Sequence, residues 1–425
     1  MTAPSTTAPS TTESPAPSQS APSETGGRVD LAAPSFSDPT NITNPLFPIT
    51  EVAQGIQLGT EAGDQLRHEI TLLPETKTIE WNGQQVETVV SQFAAYKNGR
   101  ILEVATDYFA QADDGAVWYF GEDVANYENG VIANHDGTWL AGKDGPPGMI
   151  MPADPQVGDV YRPENIPGVV FEEVTVQSIG ETVDGPRGPV GGAVLVLERL
   201  MDGTQEDKIF APGYGEFLAR VTSADELVTV ALGVPIDSVA GGVPSELGAL
   251  STGAADMIEW PPSTAWEGMA STLQTMAASW DTYRAGAAPV LLEAQMTEAL
   301  DVLTRAVEAQ DVPGTHQAAI AVARATFDLQ MLHRPAAEVD MDRLDLGARQ
   351  LLVDAAAGKP EAIAGDVATL ETIWARSRHT VDASGAAGID ARLGALRAAA
   401  ERDDASAAAR AVPAFMEAIA HVQPA

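Results

Sequence analysis

Five Asn-Gly or Asp-Gly pairs recur between residues 82 and 137: Asn82-Gly83, Asn98-Gly99, Asp114-Gly115, Asn129-Gly130 and Asp136-Gly137. Such pairs tolerate the two consecutive positive φ angles of a tight hairpin turn, whose twist matches that of the strands it joins. Their separations of 7 to 16 residues leave room for about one strand each. A chain punctuated this way is committed to successive antiparallel hairpins. The intervening residues agree. From Ala116 to Val124, alternation puts Trp118, Phe120 and Val124 on one face, with Tyr119 and Asp123 on the other. Leu102, Val104 and Tyr108 likewise share a face, opposite Glu103 and Asp107. The pattern predicts an antiparallel sheet with one wet side.

The Gly- and Pro-rich stretch 143–167 lacks periodicity and is expected to be an ordered surface loop. Strands are predicted again at Val169–Ile179, Gly192–Met201, Asp207–Phe210, Glu216–Thr222 and Leu227–Leu232. The β domain therefore spans 38–234, as a curved sheet or open barrel. Residues 235–262, with GGVPSELGALSTG and Pro261-Pro262, read as an interdomain linker with few contacts across it.

From Ser263 the apolar spacing becomes helical. Trp266, Met269, Leu273, Met276, Trp280 and Tyr283 advance by three and four residues. Four further stripes follow, through Leu292–Val307, Ile320–Met331, Leu344–Ala355 and Ile363–Trp374, and then two Ala-rich helices. Breaks fall at Pro313, Pro335, Gly358-Lys359-Pro360 and Gly385–Gly388. Short connections between amphipathic helices predict an antiparallel helical bundle over 263–425. The fold class is α+β.

Residues 1–37 are expected to be a disordered tether. After Met1 the segment is dominated by Pro, Ser and Thr, with no large apolar residue before Val29, so little burial could offset its ordering entropy. No basic stretch or apolar h-region follows Met1, and no apolar run is long enough to span a bilayer. Net charge is −36, with 11 Lys+Arg against 38 Asp+Glu through residue 261 and 13 against 22 beyond it. A surface this acidic repels phosphate backbones, which argues against a nucleic-acid partner. The absence of cysteine excludes disulfides, thiol nucleophiles and thiolate metal sites.

Several spaced segments carry a resemblance: NPLFPI from Asn44, DYFAQADDGAVWYFGED over Asp107–Asp123, GTWLAGKDGPPGMIMPADPQVGDVYRPE over Gly137–Glu164, and FAPGYGEF over Phe210–Phe217. Residues 44–232 thereby resemble an uncharacterised family of exported bacterial proteins and lipoproteins with VWYFGED, PGxxMPA and VGDxYR motifs. The resemblance implies an exported β domain, and the composition of the tail is that of a tether to membrane or wall, with the export signal expected outside this sequence. It implies no catalytic residues.

Catalytic signatures are missing from the sequence. None of His68, His135, His316, His333, His379 and His421 sits beside a nucleophile elbow, and there is no phosphate-binding or dinucleotide-binding Gly loop. Asp113-Asp114-Gly115 and Asn134-His135-Asp136-Gly137 lack the ligand spacing of a calcium loop and read as turns. Glu103, Asp107 and Asp123 read as a solvated acidic face, with cation or basic-ligand binding as the alternative. Asp328 follows Arg324, and Arg349 follows Asp345, by four residues, as in surface helix pairs. His316, His333 and Glu371, with the bundle's methionines, are the candidate metal ligands, for copper, zinc or iron. The expected function is that of a non-catalytic envelope or secreted binding protein, its partner a protein or an apolar ligand held in the sheet. The alternative is a metal-binding protein using the bundle.

Overall fold

The computed structural model describes residues 27–259, 266–286 and 288–422. Strands β1 (Gln54–Glu61), β2 (Asp64–Trp81), β3 (Gln84–Lys97), β4 (Arg100–Gln111), β5 (Val117–Glu128) and β6 (Val131–Asn134) form an antiparallel meander. Asn82, Asn98 and Asn129 sit in its turns at φ 51°, each followed by a glycine of positive φ, as the paired turn residues predict. A second meander comprises β11 (Val170–Gly185), β12 (Gly188–Leu200), β13 (Gln205–Ala211), β14 (Gly215–Val221) and β15 (Glu226–Val234). Strand β15 pairs with β1, so the two meanders join into one 15-stranded antiparallel sheet that is not closed.

Segment 143–167 is more than a surface loop. It carries the short strands β8 (Gly148–Met151), β9 (Val160–Tyr161) and β10 (Asn165–Ile166), and follows β7 (Trp139–Leu140). Trp139, Met151 and Tyr161 are fully buried in the same cluster as Phe120 and Val196, so the segment is part of the sheet's core.

The predicted alternation along β5 fails at Gly121, for a local reason. A bulge on β5, where Phe120 is left without a partner opposite the Tyr108–Phe109 step of β4, leaves Gly121 at φ 123°, and a Cβ there would lie 2.3 Å from the Trp139 carbonyl oxygen. The bulge shifts the pleat by one residue. Tyr119 and Glu122 therefore share the inner face, while Asp123 turns outward to accept from Tyr108 Oη (2.5 Å). Gly121→Ala is expected to cost about 1–3 kcal/mol, from the positive φ and the backbone collision, read as a lower denaturant midpoint.

The predicted helices are present as α2 (Trp266–Arg284), α3 (Val290–Glu308), α4 (Val312–Gln330), α5 (Ala336–Ala356), α6 (Pro360–Ser377), α7 (Ala383–Ala400) and α8 (Ala405–Ala420). They are preceded by α1 (Ser245–Glu259), in the stretch expected to be a linker. Leu247, Leu250, Ala254 and Met257 recur at helical spacing and are fully buried, which makes Ser245–Glu259 part of the helical layer. The helices form two cores. One gathers α1–α4 with Ile56, Leu232 and Val234 of the sheet, and the other gathers α5–α8.

The expectation of few contacts between sheet and bundle is overturned. Besides the shared apolar core, a buried ionic network joins them. Arg67 of β2 donates from both Nη atoms to Asp328 of α4 (2.7 and 2.9 Å) and from Nε to Glu69 (2.6 Å). Arg376 of α6 donates to Glu69 (2.6 Å) and twice to Asp340 of α5 (2.8 Å each). Arg343 of α5 reaches Asp328 (2.8 Å), Asp340 (2.9 Å) and Gln54 of β1 (2.9 Å). Asp328 is thus buried in this network and is not the surface partner of Arg324. The other expected helix pair holds, with Arg349 Nε 2.6 Å from Asp345.

The boundary of the tether also moves. Residues 1–26 of the expected 1–37 tether lie outside the described residues. The remainder is docked on the sheet. Val29 N donates to the Val160 carbonyl (2.9 Å), Arg162 N donates to Asp30 (3.0 Å), and Phe36 packs edge-on against Phe120 at 5.4 Å. Asp113 accepts from Ser35 Oγ (2.8 Å) and Ser37 N (2.7 Å), so it anchors this segment from its own turn.

Candidate functional site

Alternation along β2, β3 and β4 gives the sheet two differently employed faces. Arg67, Glu69, Gln92 and Tyr96 face the helices, where Gln92 Nε2 donates to the Thr372 carbonyl (3.1 Å). His68, Ile70, Ser91, Phe93, Glu103, Asp107 and Phe109 face the other way, into a cavity of about 580 Å³. Strands from both meanders line it, because the β15–β1 pairing curls them toward each other. Phe93, Phe109, Ile70 and Ile150 make one part of its wall apolar.

The rest of the wall is acidic. Asp107 accepts from Tyr119 Oη (2.8 Å) and Ser91 Oγ (3.3 Å), yet burial pushes its carboxyl up to about 7. Glu122, opposite Asp107 on β5, is pushed to about 10 by burial and by the neighbouring Asp107 and Glu164 carboxylates. It is the protonated partner of that trio. Glu164 rises too, through burial, although Trp139 Nε1 donates to it (2.9 Å). Glu172, also on this wall, is held well above the usual carboxylate range by burial and by Glu198 and Glu164.

Lys208 is the one lysine or arginine among the described residues lining the cavity. Burial alone would lower its ammonium, but Glu198 (2.5 Å), Glu216 (3.4 Å) and Glu206 (3.5 Å) surround it and hold it well above its ordinary value. Burial and Lys208 together press His68 down to about 4, so its imidazole is neutral at physiological pH. Gln57 Nε2 donates to the Glu216 carbonyl (2.8 Å), which orients the Gln57 oxygen toward His68 Nδ1 (3.3 Å) and places the ring proton there.

Sequence reasoning found part of this site and misjudged its character. Glu103 and Asp107 belong to it, but as walls of an enclosed space, not a solvated face; Asp123 lies on the opposite face, with Lys77 3.5 Å away. Glu122, Glu164, Glu172 and Lys208 went unremarked. Period-2 alternation alone could have flagged Glu172 and Lys208 among β-branched neighbours, whereas Glu122 depended on the Gly121 bulge.

The candidate metal ligands are not brought together. His316 is in the first turns of α4 and His333 lies just past its other end, so about 25 Å of helix rise separates them. His333 Nε2 is 3.3 Å from Tyr283 Oη, and Glu371 is paired with Arg397. Among the described residues no group of three or more His, Asp or Glu side chains is arranged to hold a metal ion. The Asp-Gly tracts are turns: Asp114 accepts from Ala116 N (3.0 Å) and Asn134 from Asp136 N (3.0 Å).

No family model, curated protein or solved structure matches the chain. The functional reading therefore rests on this cavity. No helix among the described residues is long and apolar enough to cross a membrane.

Proposed function

We propose that the protein is a non-catalytic binding protein that encloses a small amphipathic cation, an apolar body bearing an amine, in the cavity of its curled sheet. The observation that carries this reading is the imbalance of the wall. Carboxyl groups at 103, 107, 122, 164, 172, 206, 216 and 226 face a single lysine, across from Phe93 and Phe109. Isolated buried carboxylates are costly, and they resolve the cost by holding protons. A ligand ammonium offers the alternative: it lets these groups ionise while the aromatic wall takes up the apolar part. Ligand sites of a few hundred Å³ with apolar walls and a few convergent polar groups are the common pattern for small molecules. A metal ion would need ligands converging on one point, which this wall lacks. The resemblance of residues 44–232 to exported proteins, and the Pro/Ser/Thr-rich tail, support a place in the cell envelope or outside the cell.

Calorimetry with decylamine, decanoate and decanol separates charge from chain length. At pH 8, where Asp107 is ionised, decylamine is expected to bind at least about tenfold more tightly than decanoate, a difference of about 1.4 kcal/mol. Asp107→Asn and Glu206→Gln should narrow the gap. Equal affinities for the three probes, or tighter binding of decanoate, would sink the reading.

A further inference from the structure

A second, smaller space lies on the other face of the sheet, between β2–β4 and helices α4–α6. It measures about 70 Å³ and is lined by Arg67, Arg343, Arg324, Tyr96, Gln350 and Asp366. That volume holds one or two waters or a small ion and nothing larger. Three guanidinium groups meet there, and their acceptors are unevenly shared. Both oxygens of Asp328 are taken by Arg67 and Arg343, both of Glu69 by Arg67 and Arg376, and both of Asp340 by Arg343 and Arg376. Three arginines thus balance three carboxylates, and Arg324 is left over.

Among the described residues Arg324 has no hydrogen-bonded or ion-paired acceptor. Its guanidinium lies against the β3–β4 turn, with Nη1 2.9 Å from where a Gly99 side chain would begin. Arg343, 5 % exposed, points an Nε into the interior with no partner. One carboxylate oxygen remains nearby, Asp366 Oδ2, also without a partner. Asp366 gives its other oxygen to Arg100 (2.9 Å), which is shared with Asp354 (2.6 Å). Burial and Asp354 drive the Asp366 carboxyl well above its ordinary value, against the pull of Arg100.

We propose that this space is a binding site for a small monovalent anion of chloride size, held by Arg324 and the Arg343 Nε at the seam between sheet and helices. A halide there would neutralise Arg324, which no side chain does, and would accept the orphaned donors. It would also tie α4 and α5 to the β3–β4 hairpin, adding a ligand-dependent contribution to the joint between the two layers. The site is independent of the amine cavity, which lies across the sheet.

Bromide supplies the direct test, on crystals of the full chain soaked in sodium bromide. An anomalous peak within hydrogen-bonding reach of Arg324 and Arg343 Nε is expected. Water-like density with no anomalous signal overturns the proposal, whatever else is measured. In solution, about 0.1 M sodium chloride should raise the melting temperature by about 2 °C over sodium gluconate of equal ionic strength. Arg324→Gln should abolish that increment, and a chloride-specific rise undiminished in the variant also overturns the proposal. The bromide experiment uses the unaltered protein, so a variant that fails to fold leaves the proposal decidable.

Discussion

Replacing Arg376 with methionine is expected to destabilise the whole protein by about 3–5 kcal/mol, and to do so for sheet and helices together. Arg376 has a side-chain exposure of 0 % and makes three charge-assisted bonds, to Glu69 on the sheet and Asp340 on α5. Methionine has similar length and leaves little void, so lost packing is small and the cost is electrostatic. Glu69 keeps Arg67 and Asp340 keeps Arg343, but each loses a partner in a place water does not reach. The measurement is a denaturant titration followed by hydrogen exchange, read separately on peptides from helices α5–α6 and from strands β2–β3. Both midpoints should fall by the same amount. A fall in the helical signal alone would mean that the layers unfold independently and that the network contributes nothing to their union. Glu69→Gln combined with Arg376→Met should recover part of the loss, because it removes the carboxylate left underpaired.

How far the fold could be read from the chain follows from the range of each interaction. Hairpins were legible because Asn82-Gly83, Asn98-Gly99 and Asn129-Gly130 encode their turns within two residues. Helices α2–α8 were legible because large apolar residues mark their buried stripes. Helix α1 was missed because Ser, Gly and Ala dominate it, and Leu247, Leu250 and Met257 are thin evidence in such company. The joint between layers was illegible for a different reason. Arg67 and Asp328 are 261 positions apart, and Glu69 and Arg376 are 307 apart. Nothing local distinguishes Asp328 from a surface residue pairing with Arg324 one turn earlier. The cavity's acids were partly legible, as charges on one face of a strand, but alternation reports a face and not whether that face is enclosed. Enclosure comes from the β15–β1 pairing, which only the complete topology supplies.

Enclosure has a measurable consequence in the pH dependence of stability. Asp107, 8 % exposed, binds its proton more tightly in the folded chain, with its carboxyl at about 7 against an ordinary value of 3.8. A raised carboxyl contributes most to stability below its unfolded value, and that contribution is lost as pH rises toward the folded one. Each pH unit in between is worth about 1.4 kcal/mol. His68 acts in the opposite sense: its imidazole is lowered to about 4 from 6.5, so the fold gains stability from it as pH rises through that interval. The bare pH profile of the wild type therefore mixes two signs, and a comparison with Asp107→Asn separates them. Asparagine keeps the shape and can still accept from Tyr119, but carries no charge at any pH. The variant should gain on the wild type by about 2–3 kcal/mol between pH 5 and pH 8, in ligand-free protein. If the difference between the two stays constant over that range, Asp107 titrates with an ordinary carboxyl value and is reached by water. The buried proton that an incoming ammonium would displace would then be absent. A gain of the expected size, together with proton release when decylamine binds at pH 6, would tie the strain of the empty wall to the charge of what fills it.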